Sequence, residues 1–228
     1  ADPDPGTTLT FSAASDNADI SATVSGSQLT VNASANFFGS GNVVVTASDG
    51  SLSVTDTFAV TVNAVNDAPE VSPAIADVSF PEDGSATTDL NNHVSDVDNS
   101  AGEMTWAAEV LSASGTVTKD GRTREVTPAD LTVSIDGGNV ATYSATADSN
   151  GVFTVKFTVT DPGALSDTDT VTVTVSSQND APFVTAAISD VAFNEDEGPV
   201  TAAADLNSNF ADPDPGTTLT FSAASDNA

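Results

Sequence analysis

Apolar and polar residues alternate along this chain with a period of two. Runs such as Leu52-Ser53-Val54-Thr55 and Val171-Thr172-Val173-Thr174-Val175 put apolar side chains on one face and hydroxyls on the other. That is the pattern of half-buried strands. Gly, Pro and Asn-Asp punctuate the runs at regular spacing, and no segment of useful length shows the 3.6-residue period with helix formers. Short, evenly spaced strands predict an all-β chain of antiparallel Greek-key sandwiches, with about seven strands in a full unit. The core would be the alternating Val, Ile, Leu and Phe positions, with Trp106 or a matched Phe at its centre.

The strands belong to repeats. Residues 1–18, ADPDPGTTLTFSAASDNA, recur unchanged at 211–228, an offset of 210. The chain therefore reads as an internal fragment, one period of a longer array plus an overlap. A diverged repeat lies inside that period. Asn66-Asp67-Ala68-Pro69 matches Asn179-Asp180-Ala181-Pro182 at an offset of 113, and residues 75–83, IADVSFPED, match 188–196, ISDVAFNED. Asp89-Leu90-Asn91 then pairs with Asp205-Leu206-Asn207, and Asp96-Val97-Asp98 with Asp212-Pro213-Asp214. In this alignment Trp106 falls opposite Phe221 and Phe11, and His93 opposite Asn209. Two versions of one unit alternate, of 113 and 97 residues. Residues 1–66 read as a unit lacking its first strands. Residues 67–180 read as a complete unit with an insertion around 103–150, and 181–228 as the opening strands of the next.

Charge narrows the function. There are 33 acidic residues against 4 basic, a net charge of −29. Nucleic-acid binding needs a basic stripe, and an anionic membrane surface needs the same; both are excluded. No apolar run approaches the 18 residues of a membrane span. Cysteine is absent, so disulfides, thiol nucleophiles and Cys-based zinc sites are excluded. The single histidine, His93, has no counterpart in the other unit and reads as a loop residue rather than a catalyst. Tyr143 has no aromatic neighbour in sequence to build a sugar platform, and Trp106 reads as core. A folded chain this acidic must manage self-repulsion, and bound cations do so most simply.

Several motifs together resemble cadherin repeats, and in style the cadherin-like tandem repeats of giant bacterial surface adhesins of the RTX type. They are Asn-Asp-Ala-Pro at 66–69 and 179–182, and the early Glu82-Asp83 and Glu195-Asp196. They also include Asp-x-Asp at 2–4, 96–98 and 212–214, and Asp49 and Asp161 before the last strands. The resemblance covers nearly the whole chain and implies a cadherin/Ig-like sandwich with Ca2+ at unit junctions. Positions 63–65 and 176–178 lack the Asp that animal cadherins carry there, so fewer ions per junction are expected.

Calcium takes six to eight oxygens, and clustered Asp and Asn on short loops supply them. Before the long unit the candidate ligands are Asn66, Asp67, Asp96, Asp98 and Asp161. After it they are Asn179, Asp180, Asp212 and Asp214 with Glu82 and Asp83. Asp49 completes the equivalent site in the short unit, and Asp2, Asp4, Glu195 and Asp196 are the matching positions of the other copies. Singly, each of these acids is an ordinary turn former; recurrence at matched positions favours a metal. An EF-hand is excluded, since twelve-residue loops from Asp2, Asp96 or Asp212 end at Ala13, Ala107 or Ala223 rather than Glu.

These features predict no enzyme but a calcium-rigidified spacer, extracellular at a bacterial cell surface, projecting a distal binding domain in adhesion or biofilm. Its partners would be neighbouring repeats of the same chain, with no nucleic acid and no direct membrane contact. A carbohydrate-binding or homophilic adhesion module of a secreted protein is the alternative, and an accessory domain of a secreted hydrolase a third. The cut also predicts head-to-tail self-association, 181–228 of one molecule completing 1–66 of another.

Overall fold

The computed structural model describes residues 8–225 except 120, 121, 197, 202, 203 and 215, and leaves out the side chains of 118, 119 and 122. Asp2 and Asp4 lie outside the described residues. The chain divides into two compact units, residues 1–67 and 68–228.

The first unit holds β1 (Thr10–Ser15), β2 (Ile20–Ser25), β3 (Gln28–Ala33), β4 (Gly39–Ser48) and β5 (Ser53–Val62). One antiparallel sheet runs β1-β4-β5, and β2 and β3 form a separate hairpin. Its buried apolar centre is small, Ile20 and Val43. Asp16 ties the turn after β1 to β4: its carboxylate accepts from the Asn42 backbone N–H at 2.6 Å and from Asn42 Nδ2 at 3.0 Å. Phe11, Leu29, Val44 and Phe58 stay exposed. Among the described residues β5 pairs only with β4, and β3 only with β2.

The second unit begins with β6 (Glu70–Val71), β7 (Val78–Pro81) and β8 (Ser85–Asp89). A single turn of 3-10 helix, Leu90–His93, leads into β9 (Val94–Ser95). Then come β10 (Thr105–Lys119), β11 (Arg122–Glu125), β12 (Leu131–Ile135), β13 (Val140–Ala145), β14 (Ser149–Thr160) and β15 (Ser166–Ser176). Sheet order is β11-β10-β14-β15-β7 against β12-β13-β8. The chain crosses between the sheets after β7, again between β8 and β10, and after β11 and β13, which is Greek-key wiring. All pairings are antiparallel except β7 on β15, which is parallel.

Alternation explains the core. Along β15, Val171, Val173 and Val175 point inward while Thr170, Thr172 and Ser176 face out. The inner faces meet around Phe157, whose ring packs edge-on to Trp106 (centroids 6.4 Å) and to Tyr143 (6.2 Å). Edge-to-face pairs contribute beyond the area they bury. Trp106 pairs with Val159 as Phe11 pairs with Ala47 in the first unit, so the two aromatics hold one position of one fold.

The strands that both units contain differ most in one place. Thr10 to Ile20 spans ten residues, whereas Thr105 to Leu131 spans twenty-six. The additional length is the far half of β10 and the β11 hairpin. Gly115 faces Gly151 across β10 and β14, and a Cβ on Gly115 would strike the Asn150 carbonyl and the Gly151 Cα. Only glycine lets the two backbones approach so closely. The Arg124 guanidinium forks onto the buried Asp130 carboxylate and, with the Thr127 N–H, holds it well below the usual range.

The tail repeats the opening of the second unit. β16 (Phe183–Val184), a helical turn α1 (Leu206–Asn209) and β17 (Phe210–Ala211) follow β15. β16 pairs with β17 as β6 pairs with β9. His93 and Asn209 do the same work. His93 Nδ1 lies 3.0 Å from the Pro73 carbonyl, and Asn209 Nδ2 donates to the Ala186 carbonyl at 2.9 Å.

Truncating Phe157 to Ala should destabilise the second unit by about 3–5 kcal/mol through the cavity it leaves. Val97→Ala, at an exposed loop position, should change stability by no more than about 0.5 kcal/mol. Urea denaturation followed by tryptophan fluorescence checks both, since Trp106 is the chain's one tryptophan.

Candidate metal centre

The cluster forms where the chain turns the corner from β7 to β8. Glu82 follows β7 directly, and its N–H donates to the Ser176 carbonyl at 3.0 Å. Its Oε1 accepts from the Gln178 N–H at 2.8 Å. Both bonds reach the end of β15, so the parallel pairing of β7 on β15 fixes the side chain. Glu82 is 3% exposed, and its Oε2 is buried with no hydrogen-bond partner.

Two further carboxylates converge on Glu82. Asp180 lies in the Asn-Asp-Ala-Pro segment just past β15. Its N–H donates to Asp214 Oδ2 at 2.8 Å, which draws the turn after β17 onto the segment. Asp212 Oδ1 in turn accepts the Asp214 N–H at 2.9 Å. Glu82, Asp180 and Asp214 each offer an oxygen within 4.8 Å of the others. Two oxygens bound to one calcium ion at about 2.3–2.6 Å can stand at most about 5 Å apart. The spacing and the all-oxygen donor set fit a hard cation.

The electrostatics agree. Burial pushes the Glu82 carboxyl up from its ordinary value, and Asp180, Asp83 and Asp148 push it further; only the Gln178 N–H opposes them. Asp180 is raised by burial and by Asp148, Asp83, Asp214 and Asp212. Every charged neighbour acting on these two groups is another carboxylate. An isolated buried charge is costly unless paired or metal-bound.

The remaining candidate residues sit elsewhere. Asn179 Nδ2 donates to the Asp180 carbonyl at 3.1 Å, and Asn66 Nδ2 to the Asp67 carbonyl at 3.1 Å, so the two linkers share one local geometry. Asp49 is half-buried and caps a turn, held below its ordinary value by the N–H groups of Leu52 and Ser51. Asp96 Oδ1 accepts from the N–H groups of Asp98 and Asn99, while Asp96 Oδ2 and Asn99 Oδ1 are buried without partners. Asp161 is buried and accepts from the Leu165 N–H at 2.9 Å. Asp96, Asp98 and Asp161 do not form a second group of three converging acids among the described residues. Asp83, Glu195 and Asp196 are exposed.

Asp148 is the group that motif reading passes over. It occupies a left-handed backbone position (φ 59°) between β13 and β14, and Asn36 (φ 60°) holds the matching place in the first unit. Matched Asp and Asn at one turn were the available signal.

No family model matches the chain, and no curated protein does. Among solved structures it is similar to human protocadherin-24 EC1-2, with 18% identity, 77% of this chain and 84% of that one covered, and TM-score 0.46. Human mucin-like protocadherin EC1-2 gives 15% identity, coverage of 75% and 85%, and TM-score 0.42. An endo-fucoidan hydrolase of glycoside hydrolase family 107 gives 18% identity and TM-score 0.31 over 76% of this chain. The chain spans only 24% of that hydrolase. Cadherin extracellular domains thus recur among the neighbours at low identity.

With calcium chelated, stability should change with pH in a definite direction. Glu82 and Asp180 have raised folded-state values, so their contribution is fully present below the unfolded values and lost as pH rises through the folded ones. Melting temperature in chelator should fall from pH 4 to pH 7.5, and Glu82→Gln should narrow the fall. Thermal melts followed by circular dichroism across that range test it.

Proposed function

We propose that this chain is a calcium-stiffened spacer of a bacterial cell-surface adhesin, extracellular, holding a distal binding domain away from the cell. The observation that carries the reading is the buried Glu82 carboxylate, one oxygen of it unpartnered, grouped with Asp180 and Asp214. Glu82, Asp180 and Asp214 would hold the ion, with Asp148, Asp83 and Asp212 adding negative potential around it. Calcium supplies the positive charge this cluster lacks. The chain's own residues do the rest: β7 and β15 fix Glu82, and the Asp180–Asp214 hydrogen bond sets the exit of the tail. Without the ion, repulsion opposes that arrangement; with it, the segment after β15 is tied to the sandwich. The partners in this reading are neighbouring repeats of the same chain. Catalysis has no part in it: His93 braces a loop, and Trp106 and Tyr143 lie in the core.

Ligand binding to the folded state alone stabilises it by mass action. Extracellular modules bind calcium at about 10⁻⁴–10⁻³ M, so 10 mM calcium gives about 1.4–2.7 kcal/mol per site. The melting temperature should rise by roughly 3–10 °C in calcium over chelator, with little response to magnesium. Asp180→Asn and Glu82→Gln should each abolish most of the rise. An equal response to magnesium, or a calcium shift that survives both substitutions, would sink the reading.

A further inference from the structure

Three carboxylates of the second unit stand apart from the acidic cluster and bind backbone N–H groups far away in sequence. Asp167 accepts from the Val71 N–H, Asp169 from the Ile75 N–H and Asp77 from the Thr172 N–H, each at 2.8 Å and across 94 to 96 positions. Asp167 and Asp169 lie on β15, while Ile75 and Asp77 lie on the stretch that leads from β6 into β7. Pro73, which has no N–H to give a ladder, stands between the two N–H groups that Asp167 and Asp169 take up. A carboxylate acceptor makes a hydrogen bond about twice as strong as a neutral one. Asp56, Asp190 and Glu195 stand at the positions of Asp169, Asp77 and Glu82 in the other version of the repeat.

The bonds fall in order along two parallel stretches. Val71 meets Asp167, Ile75 meets Asp169 and Asp77 meets Thr172. The β7–β15 pairs continue the series, from Val78 opposite Val173 to Pro81 opposite Ser176. The Glu82 N–H on the Ser176 carbonyl and the Gln178 N–H on the Glu82 carboxylate close it. Residues 71–82 are thus fastened to β15 well beyond the four residues that pair as strand.

Direction decides what such a series can do. The chain enters the unit beside the start of β15 and leaves it at the end of β15. Tension along the chain therefore pulls the entering segment backward and β15 forward. The two are sheared past each other, and the bonds of the series are loaded together rather than one after another.

We infer that Asp167, Asp169 and Asp77 are latches of a tension-bearing clamp, which keeps the second unit folded when the chain is pulled through its two Asn-Asp-Ala-Pro segments. The inference rests on the spacer reading for the presence of tension. The latches themselves need no calcium, since none of the three belongs to the Glu82, Asp180 and Asp214 group.

Force spectroscopy on the full chain tests this, in calcium and in chelator. The chain has no cysteine. Handles on Ala68→Cys and Ala181→Cys load the series end to end, and handles on Ala68→Cys and the exposed Leu165→Cys load it from one end only. Forced unfolding reports the unfolding rate. End-to-end pulling should need several times the force of one-ended pulling. In end-to-end pulling Asp167→Ala, Asp169→Ala and Asp77→Ala should each speed unfolding about tenfold or more through the loss of one charge-assisted bond. They should do so in chelator as well. Asp136→Ala is the control: its carboxylate accepts from the Gly138 and Val140 N–H groups in the β12–β13 turn, outside the series. That variant should leave the end-to-end rate unchanged. Latch effects without a calcium melting shift would overturn the calcium reading alone. Should a latch variant fail to fold, the two pulling geometries decide with the latches unaltered. Equal force in both geometries, latch variants that unfold at the parent's rate, or an equal effect of Asp136→Ala would overturn the inference.

Discussion

A carboxylate buried without a counter-charge is the constraint on which this structure turns. Glu82 sits at the corner where the chain leaves one sheet for the other, and two backbone bonds pin it to the end of β15. It cannot move to water without disturbing β7 on β15. Its surroundings supply only more carboxylates, and the chain as a whole carries four basic residues against thirty-three acidic. Protonation or a bound cation each relieves such a site.

The same edge pairing governs the comparison between units. Where β7 covers β15, an unbroken cluster forms around Phe157, with Val171, Val173 and Val175 closed off from water. Where β5 lies open, the buried apolar centre shrinks to Ile20 and Val43, and Phe11 and Phe58 are left partly wet. The sequences of the two last strands are nearly interchangeable, so the difference is one of missing neighbours rather than of composition.

Much of this was legible in the residues. Period-two alternation gave the strands, because a pleated backbone sends successive side chains to opposite faces. Aligning Trp106 with Phe11 anticipated the register that β10–β14 and β1–β4 share, and aligning His93 with Asn209 anticipated two loops braced alike. Glu82, Asp180 and Asp214 stood among the candidate ligands because acids at matched positions are rarely idle. Asp148 escaped because a lone Asp in a turn has no neighbouring motif; its relevance depends on how the β13–β14 turn folds back toward β7. Asp49 is an acid of the motif whose Oδ1 accepts from the Ser51 and Leu52 N–H groups, while Asp2 and Asp4, its matching acids, lie outside the described residues.

The acidic cluster and the bare tail are linked through one short stretch. Asp180 precedes β16 and Asp214 follows β17, so the cluster grips both ends of the hairpin-like fold from which residues 188–194 depart. The Asp180 N–H donates to Asp214 at 2.8 Å across that fold, and the carboxylates around it repel one another. A cation there would fix the points at which the tail leaves and rejoins the sandwich, and so reduce the conformations open to the segment between.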